Sequence, residues 1–190
     1  YEELFNNIEK VAKSLKKYGI SEGDIVNVSL PNIPEAVYIF YALSKIGAIA
    51  NMIDPRASSN DIKHYVNEVG SDLMFVLEDA FSKIQPILEE TTLKEVVKVS
   101  AINSLNDNHD NEKDEIISDT IITNFNSFVE YGKDYNKNTQ VEYVEHRPVV
   151  IEHTGGTTGT PKGVLLTNDA INMIAHHFMV SDLDFNRDQK

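Results

Sequence analysis

The residues of this chain best suited to holding an anion crowd into one stretch, "EHTGGTTGTPKG", residues 152–163. Gly155, Gly156 and Gly159 can adopt backbone angles closed to other residues, so that consecutive N–H groups converge on one point. Thr154, Thr157, Thr158 and Thr160 add hydroxyl donors, and Lys162 adds a positive charge. Gly163 lets the chain run on close to a neighbouring strand. Together these groups suit the oxygens of a phosphate. The spacing is not that of a Walker A loop, which needs a second glycine directly before the lysine. Counting from Gly155 puts Thr160 at that glycine, and counting from Gly156 puts Pro161 there. The dinucleotide pattern G-x-G-x-x-G is also absent. On composition alone, a phosphate cradle and a ligand-free Gly/Thr-rich hairpin tip fit equally well.

The flanks decide what kind of element carries this stretch. "PVVIE" before it and "GVLLT" after it both read as short strands, so the loop joins strand to strand. Helical periodicity resumes after Asn168 and Asp169, with Asn168 as the expected cap and Ile171, Ile174, Ala175 and Phe178 on one face. Upstream, Leu4, Ile8, Val11, Leu15 and Tyr18 define a first helix that stops at Gly19. "DIVNVSL" (24–30) reads as a strand, and a helix opened by Pro34 and closed by Gly47 follows. That helix is apolar almost all round, which predicts burial, with Tyr38, Phe40 and Tyr41 as core residues.

"AIANMI" (48–53), a helix over 59–69, "LMFVL" (73–77), a helix broken by Pro86 and "EVVKVS" (95–100) continue the rhythm. Strand and helix in alternation imply crossover units, hence an α/β fold with a mostly parallel sheet. Residues 1–100 form this alternating core. Residues 101–147 read as an acidic insertion, with 103–119 a solvated loop, then a short helix near 124–131 and a connector. Residues 148–190 carry the loop hairpin and the helix after it.

The formal net charge of -13 disfavours nucleic acid and anionic lipid as partners, and no apolar run has the length of a membrane span. With no cysteine there is no disulfide, thiolate metal site or cysteine nucleophile, which fits a cytoplasmic location. Tyr1 is not an initiator methionine and no signal-peptide pattern follows it, so the chain is expected to be a piece of a longer protein. No metal site is expected. His176 and His177 would point about 100° apart on a helix, and 107–119 lacks the spacing of a calcium loop. His64 reads as a lone histidine and His109 as solvated. His153, directly before the loop, is placed to shape its pocket.

"IEHTGGTTGTPKGVLLT" resembles the signature loop of the adenylate-forming (AMP-dependent synthetase and ligase) superfamily. The usual form is a threonine or serine, two small residues, Ser/Thr-Thr-Gly, one free position, then Pro-Lys-Gly-Val. Every place is filled here. "YEEL", "LPNIPEAV" and "NMIDPRASSNDIKH" extend the resemblance over essentially the whole chain, most weakly across 103–147.

The resemblance implies part of the large N-terminal domain of an acyl-CoA-synthetase-like fold. It also implies an activity in which ATP and a small-molecule carboxylic acid give an acyl-adenylate and pyrophosphate, the acyl group then passing to coenzyme A. It makes Thr154, Gly155, Gly156, Thr157, Thr158, Gly159 and Lys162 the ATP phosphate contacts, with Mg²⁺ bridging phosphate oxygens. Gly155 stands where many relatives carry serine, and Asn168 where histidine is frequent. The family's adenine contacts, Mg²⁺-binding glutamate, acyl pocket and catalytic lysine would lie beyond Lys190. The stretch by itself is therefore expected to hold no catalytic residue and to be inactive. A nonribosomal-peptide-type adenylation module and a non-catalytic ATP-binding relative are the alternatives.

Overall fold

The computed structural model describes residues 1–101, 114–154 and 162–180, with side chains through 178. In chain order the elements are α1 (Glu2–Tyr18), β1 (Ile25–Ser29), α2 (Pro34–Ile46), β2 (Ile49–Met52), α3 (Ser59–Val69) and β3 (Leu73–Leu77). Then come α4 (Phe81–Ile84), β4 (Glu95–Val99), β5 (Glu115–Ile117), β6 (Thr120–Asn124), α5 (Phe125–Tyr131), β7 (Pro148–Thr154), β8 (Lys162–Thr167) and α6 (Asn168–Val180). Short 3-10 turns flank α4, and the second, Gln85–Glu90, carries Pro86, whose missing N–H cannot continue an α-helix.

The strands form one sheet in the order β5-β6-β4-β3-β1-β2-β7-β8. The run from β6 to β7 is parallel, and each edge strand, β5 and β8, joins antiparallel. Helices cover both faces. On one, α1, α2 and α5 bury Val11, Leu15, Ile39, Leu43 and Phe128 against Val26, Val28, Phe75 and Val97. Phe75 meets Phe125 and Phe128 edge-on, with ring centroids 6.3 and 5.2 Å away. On the other face, α3 and α4 bury Ile62, Val66 and Ile84 against Met74, Val76 and Val96. Strand residues of opposite parity serve the two cores, which is why β3 reads as a continuous apolar run.

Three expectations change. Within 103–119, expected to be a solvated loop, Glu115–Ile117 is strand β5, paired with β6 as a hairpin. Its two-residue turn, Ser118 and Asp119, has φ of 50° and 64°, the turn geometry whose twist matches a hairpin. Residues 102–113 lie outside the described residues, His109 among them. Helix α2 is buried on one side rather than all round: Ile39, Ala42, Leu43 and Ile46 face the core, while Tyr41 is 53% exposed and Tyr38 and Phe40 are half-buried. Its apolar residues exceed what one sheet face can cover, and Phe40 and Tyr41 line a surface groove beside Phe5 and Ile171. Among the described side chains of α6, Ile171 packs onto the core, while Ile174 and Phe178 are exposed.

Candidate active site

The topology creates a crevice before any side chain is considered. From β1 the chain crosses over through α2 on one face to β2, then through α3 on the other face back to β3, beyond β1. Adjacent strands whose following helices leave on opposite faces part at their carboxyl ends, where open α/β sheets hold ligands. A cavity of about 810 Å³ lies there, lined by Leu30 and Asn32 after β1, Met52 to Ala57 after β2, Tyr65 on α3, and Glu152, His153 and Thr154 at the end of β7.

Several polar groups of this cavity have defined partners. Arg56 donates from Nε and Nη2 to both oxygens of Asp54, at 3.0 and 2.8 Å for the shorter bonds, and this holds the Asp54 carboxyl down at about 2. Burial pushes the Glu152 carboxyl up. Ser58 caps α3, accepting from the Asp61 N–H, and so fixes the turn that carries Asp54 and Arg56.

His153 is held most tightly. Its ring stacks on Tyr65 with centroids 3.8 Å apart, and Nε2 lies 2.8 Å from Asn51 Oδ1. Asn51 in turn donates to Asn27 Oδ1 at 2.8 Å, and Asn27 donates to the Leu73 carbonyl at 3.3 Å. Asn27 and Asn51 are fully buried. Burial lowers the affinity of His153 for a proton, against a smaller opposing effect of Glu68, with His64 adding slightly to the lowering. His153, placed by the sequence directly before the loop, lines this cavity. Asn27 and Asn51 were missed. Their signal in sequence is an asparagine flanked by apolar residues inside each of two short buried strands, where an amide must find a partner.

Of the expected phosphate contacts, Thr154 and Lys162 fall within the described residues. They are paired directly across the β7–β8 hairpin, and Thr154 Oγ1 donates to the Lys162 carbonyl at 3.3 Å. Both side chains are exposed. Gly155, Gly156, Thr157, Thr158 and Gly159 lie outside the described residues. Gly163 sits opposite His153, and a Cβ there would stand 2.9 Å from Ile151 Cγ2. The base of the hairpin is tied to the connector before it. Asp169 accepts from the Tyr143 hydroxyl and the His146 N–H, with the Tyr143 bond the main reason its carboxyl is held low.

The cap of α6 is a correction. Thr167 accepts from the Ala170 N–H at 3.3 Å in the capping position, while Asn168 instead donates from Nδ2 to the Val144 carbonyl. Asn168 Oδ1 still accepts from the Asp169 N–H at 2.8 Å, so Asn168 serves the first turn of α6 while bridging to the connector. His176 and His177 are exposed, and among the described residues no group of three or more His, Cys, Asp or Glu could hold a metal ion.

The β7–β8 stem, with Thr154 and Lys162 paired at its end, stands at the carboxyl end of a mostly parallel α/β sheet. The family model described as AMP-binding enzyme matches residues 1–189. The chain belongs to the AMP-binding enzyme family. It is 30% identical over 187 residues to "Probable 4-coumarate--CoA ligase 2" of Dictyostelium discoideum, covering 93% of this chain and 30% of that one. Among solved structures it resembles a long-chain-fatty-acid-CoA ligase (FadD1) from Archaeoglobus fulgidus, with 27% identity, a TM-score of 0.68, and 90% of this chain and 31% of that one covered. It also shares its fold with the anthranilate CoA ligase AuaEII in complex with anthranoyl-AMP, at 19% identity and a TM-score of 0.74, over 94% of this chain and 31% of that one. The chain thus spans about 30% of the length of these relatives. Among the described residues, no helix is long and apolar enough to cross a membrane.

Proposed function

We propose that the protein to which this chain belongs activates a carboxylic acid with ATP, forming an acyl-adenylate and releasing pyrophosphate, and then passes the acyl group to coenzyme A. The observation that carries this reading is a family match running through the whole loop hairpin, whose stem sets Thr154 beside Lys162 at a cavity on the carboxyl end of the sheet. A carboxylate becomes electrophilic only when its oxygen is converted to a leaving group, and here pyrophosphate must depart from the α-phosphorus. Negative charge grows on that leaving group, so donors fixed around it lower the barrier.

In this reading Thr154, Gly155, Gly156, Thr157, Thr158 and Gly159 hold the β- and γ-phosphates, and Lys162 neutralises their charge. Thr154 Oγ1 is a hard oxygen of the kind Mg²⁺ accepts. Mg²⁺, when bound, spreads the phosphate charge further. Three relatives named as CoA ligases for different acids support coenzyme A as the acceptor and leave the acid open. ATP and coenzyme A as substrates fit a cytoplasmic site of action.

The test is exchange of labelled pyrophosphate into ATP by the full-length protein across a panel of aryl, short-chain and long-chain acids. The reading expects acid-dependent exchange with at least one class. Folded protein that exchanges with none of them contradicts it.

A further inference from the structure

Two asparagines buried within the sheet, with a part-buried histidine beside them, are costly unless every polar atom is placed with care. Here they are linked across four adjacent strands, β3, β1, β2 and β7. The polarity of the chain is set at its far end. The Leu73 carbonyl can only accept, so the amide nitrogen of Asn27 faces it and the Asn27 oxygen faces Asn51. Asn51 must then turn its nitrogen to Asn27, where it also lies 3.5 Å from the Tyr65 carbonyl, and its oxygen to His153. An oxygen acceptor at 2.8 Å requires a proton on His153 Nε2. Its Nδ1 is buried and has no hydrogen-bond partner among the described residues.

From this geometry we infer that His153 is a positioning residue for the phosphate-binding hairpin, held as the neutral Nε2–H tautomer by the Leu73–Asn27–Asn51 relay. The relay fixes one face of β7 at the residue before Thr154. Tyr65 stacks on the ring from α3, and Gly163 is paired with His153 across the hairpin on β8. Strand, helix and hairpin partner are thereby locked around one imidazole, and the direction in which Thr154 and Lys162 leave the sheet is set by it. A second proton on the ring would sit on Nδ1, toward Gly163 and away from Asn51. The charged or titratable groups around it are Glu68 and His64 on α3, Glu152 on its own strand, and Asp54 with Arg56 in the turn after β2.

The inference rests on the hairpin serving ATP, and the experiment keeps the two claims apart. In full-length protein, pyrophosphate exchange is measured for wild type, His153→Phe and His153→Gln. Phe keeps the stacking on Tyr65 and removes the donor; Gln keeps a donor near the Nε2 position. His153→Phe leaves Asn51 Oδ1 buried without its donor, and is expected to raise KM for ATP by about tenfold while kcat changes by less than about threefold.

His153→Gln is expected to stay near wild type at pH 7.5. Because burial lowers the affinity of His153 for its second proton, KM for ATP should rise in wild type only as pH falls below histidine's ordinary range, and should not rise in His153→Gln. In ¹⁵N-histidine spectra, the signal lost in His153→Gln should be that of a neutral ring protonated at Nε2. Equal ATP affinity and pH profile in all three proteins, or a ring protonated at Nδ1, overturns the inference. Wild type without any exchange overturns the ATP reading instead, while the spectrum still decides the tautomer.

Discussion

At Gly163 the two strands of the hairpin come so close that any side chain must displace a neighbour, because its Cβ would meet Ile151 Cγ2 at 2.9 Å. A strand residue pinned on that side cannot yield freely, so Gly163→Ala should destabilise the chain by about 1–3 kcal/mol. Urea unfolding of the two proteins measures this directly, and an unchanged midpoint would mean that β8 shifts without cost. The strand-to-strand setting of the loop was legible in its flanks, because "PVVIE" and "GVLLT" are local patterns and form β7 and β8. What surrounds His153 was not. Its partner Asn51 is 102 residues away, and Asn27 a further 24, so the relay to Leu73 exists only once four strands lie side by side. Asp54 and Arg56, too close in sequence to look like more than a turn, lie at the cavity mouth for the same reason.

Among the elements, the most demanding contact is between α1 and the end of α5. A Cβ on Gly132 would stand 2.3 Å from Ser14 Oγ and 2.4 Å from its backbone nitrogen. Ser14 Oγ also donates to the Val129 carbonyl at 3.1 Å, so the two helices are hydrogen-bonded where they touch. Backbone cannot rotate aside as a side chain can. Gly132→Ala is expected to cost about 2–3 kcal/mol, read as a lower denaturation midpoint, whereas Ser14→Ala should cost about 0.5–1.5 kcal/mol. A Gly132→Ala midpoint equal to wild type would contradict the packing described.

Helices and parallel strands through 100 were readable because period and punctuation agree there: Gly19, Gly47 and Gly70 each end a helix with positive φ. The β5–β6 hairpin was not readable. Its turn is Ser118-Asp119 rather than a glycine-bearing pair, and β5 is a three-residue edge strand that follows an acidic run. Periodicity also overstated α2, because an apolar stripe reports what can be buried rather than what the fold covers.

Over the whole molecule the sheet has two ends with different electrostatics. The carboxyl ends of the strands carry the cavity and Lys162. At the other end, Glu95 opens β4 near Asp72 and Asp114, and burial first, then these two carboxylates, push its carboxyl up to about 7. The unfolded chain releases this proton near 4.5, so the stability Glu95 provides is present below that pH and is lost as pH rises toward 7. Glu95→Gln should therefore gain stability relative to wild type between pH 5 and pH 8, and urea titrations at those two values give the comparison. A constant difference between the two proteins would refute the assignment.

The α/β class and the strand-to-strand loop followed from the alternation alone. The strand order, which puts β7 next to β2 and makes the crevice, needed the three-dimensional structure.

The central claim is that the β7–β8 hairpin grips the leaving pyrophosphate, and Lys162 tests it most directly. With an acid that supports exchange, full-length Lys162→Ala should exchange labelled pyrophosphate into ATP about 10- to 100-fold more slowly than wild type, with its fold unchanged by circular dichroism. Exchange at the wild-type rate in that variant would contradict the account.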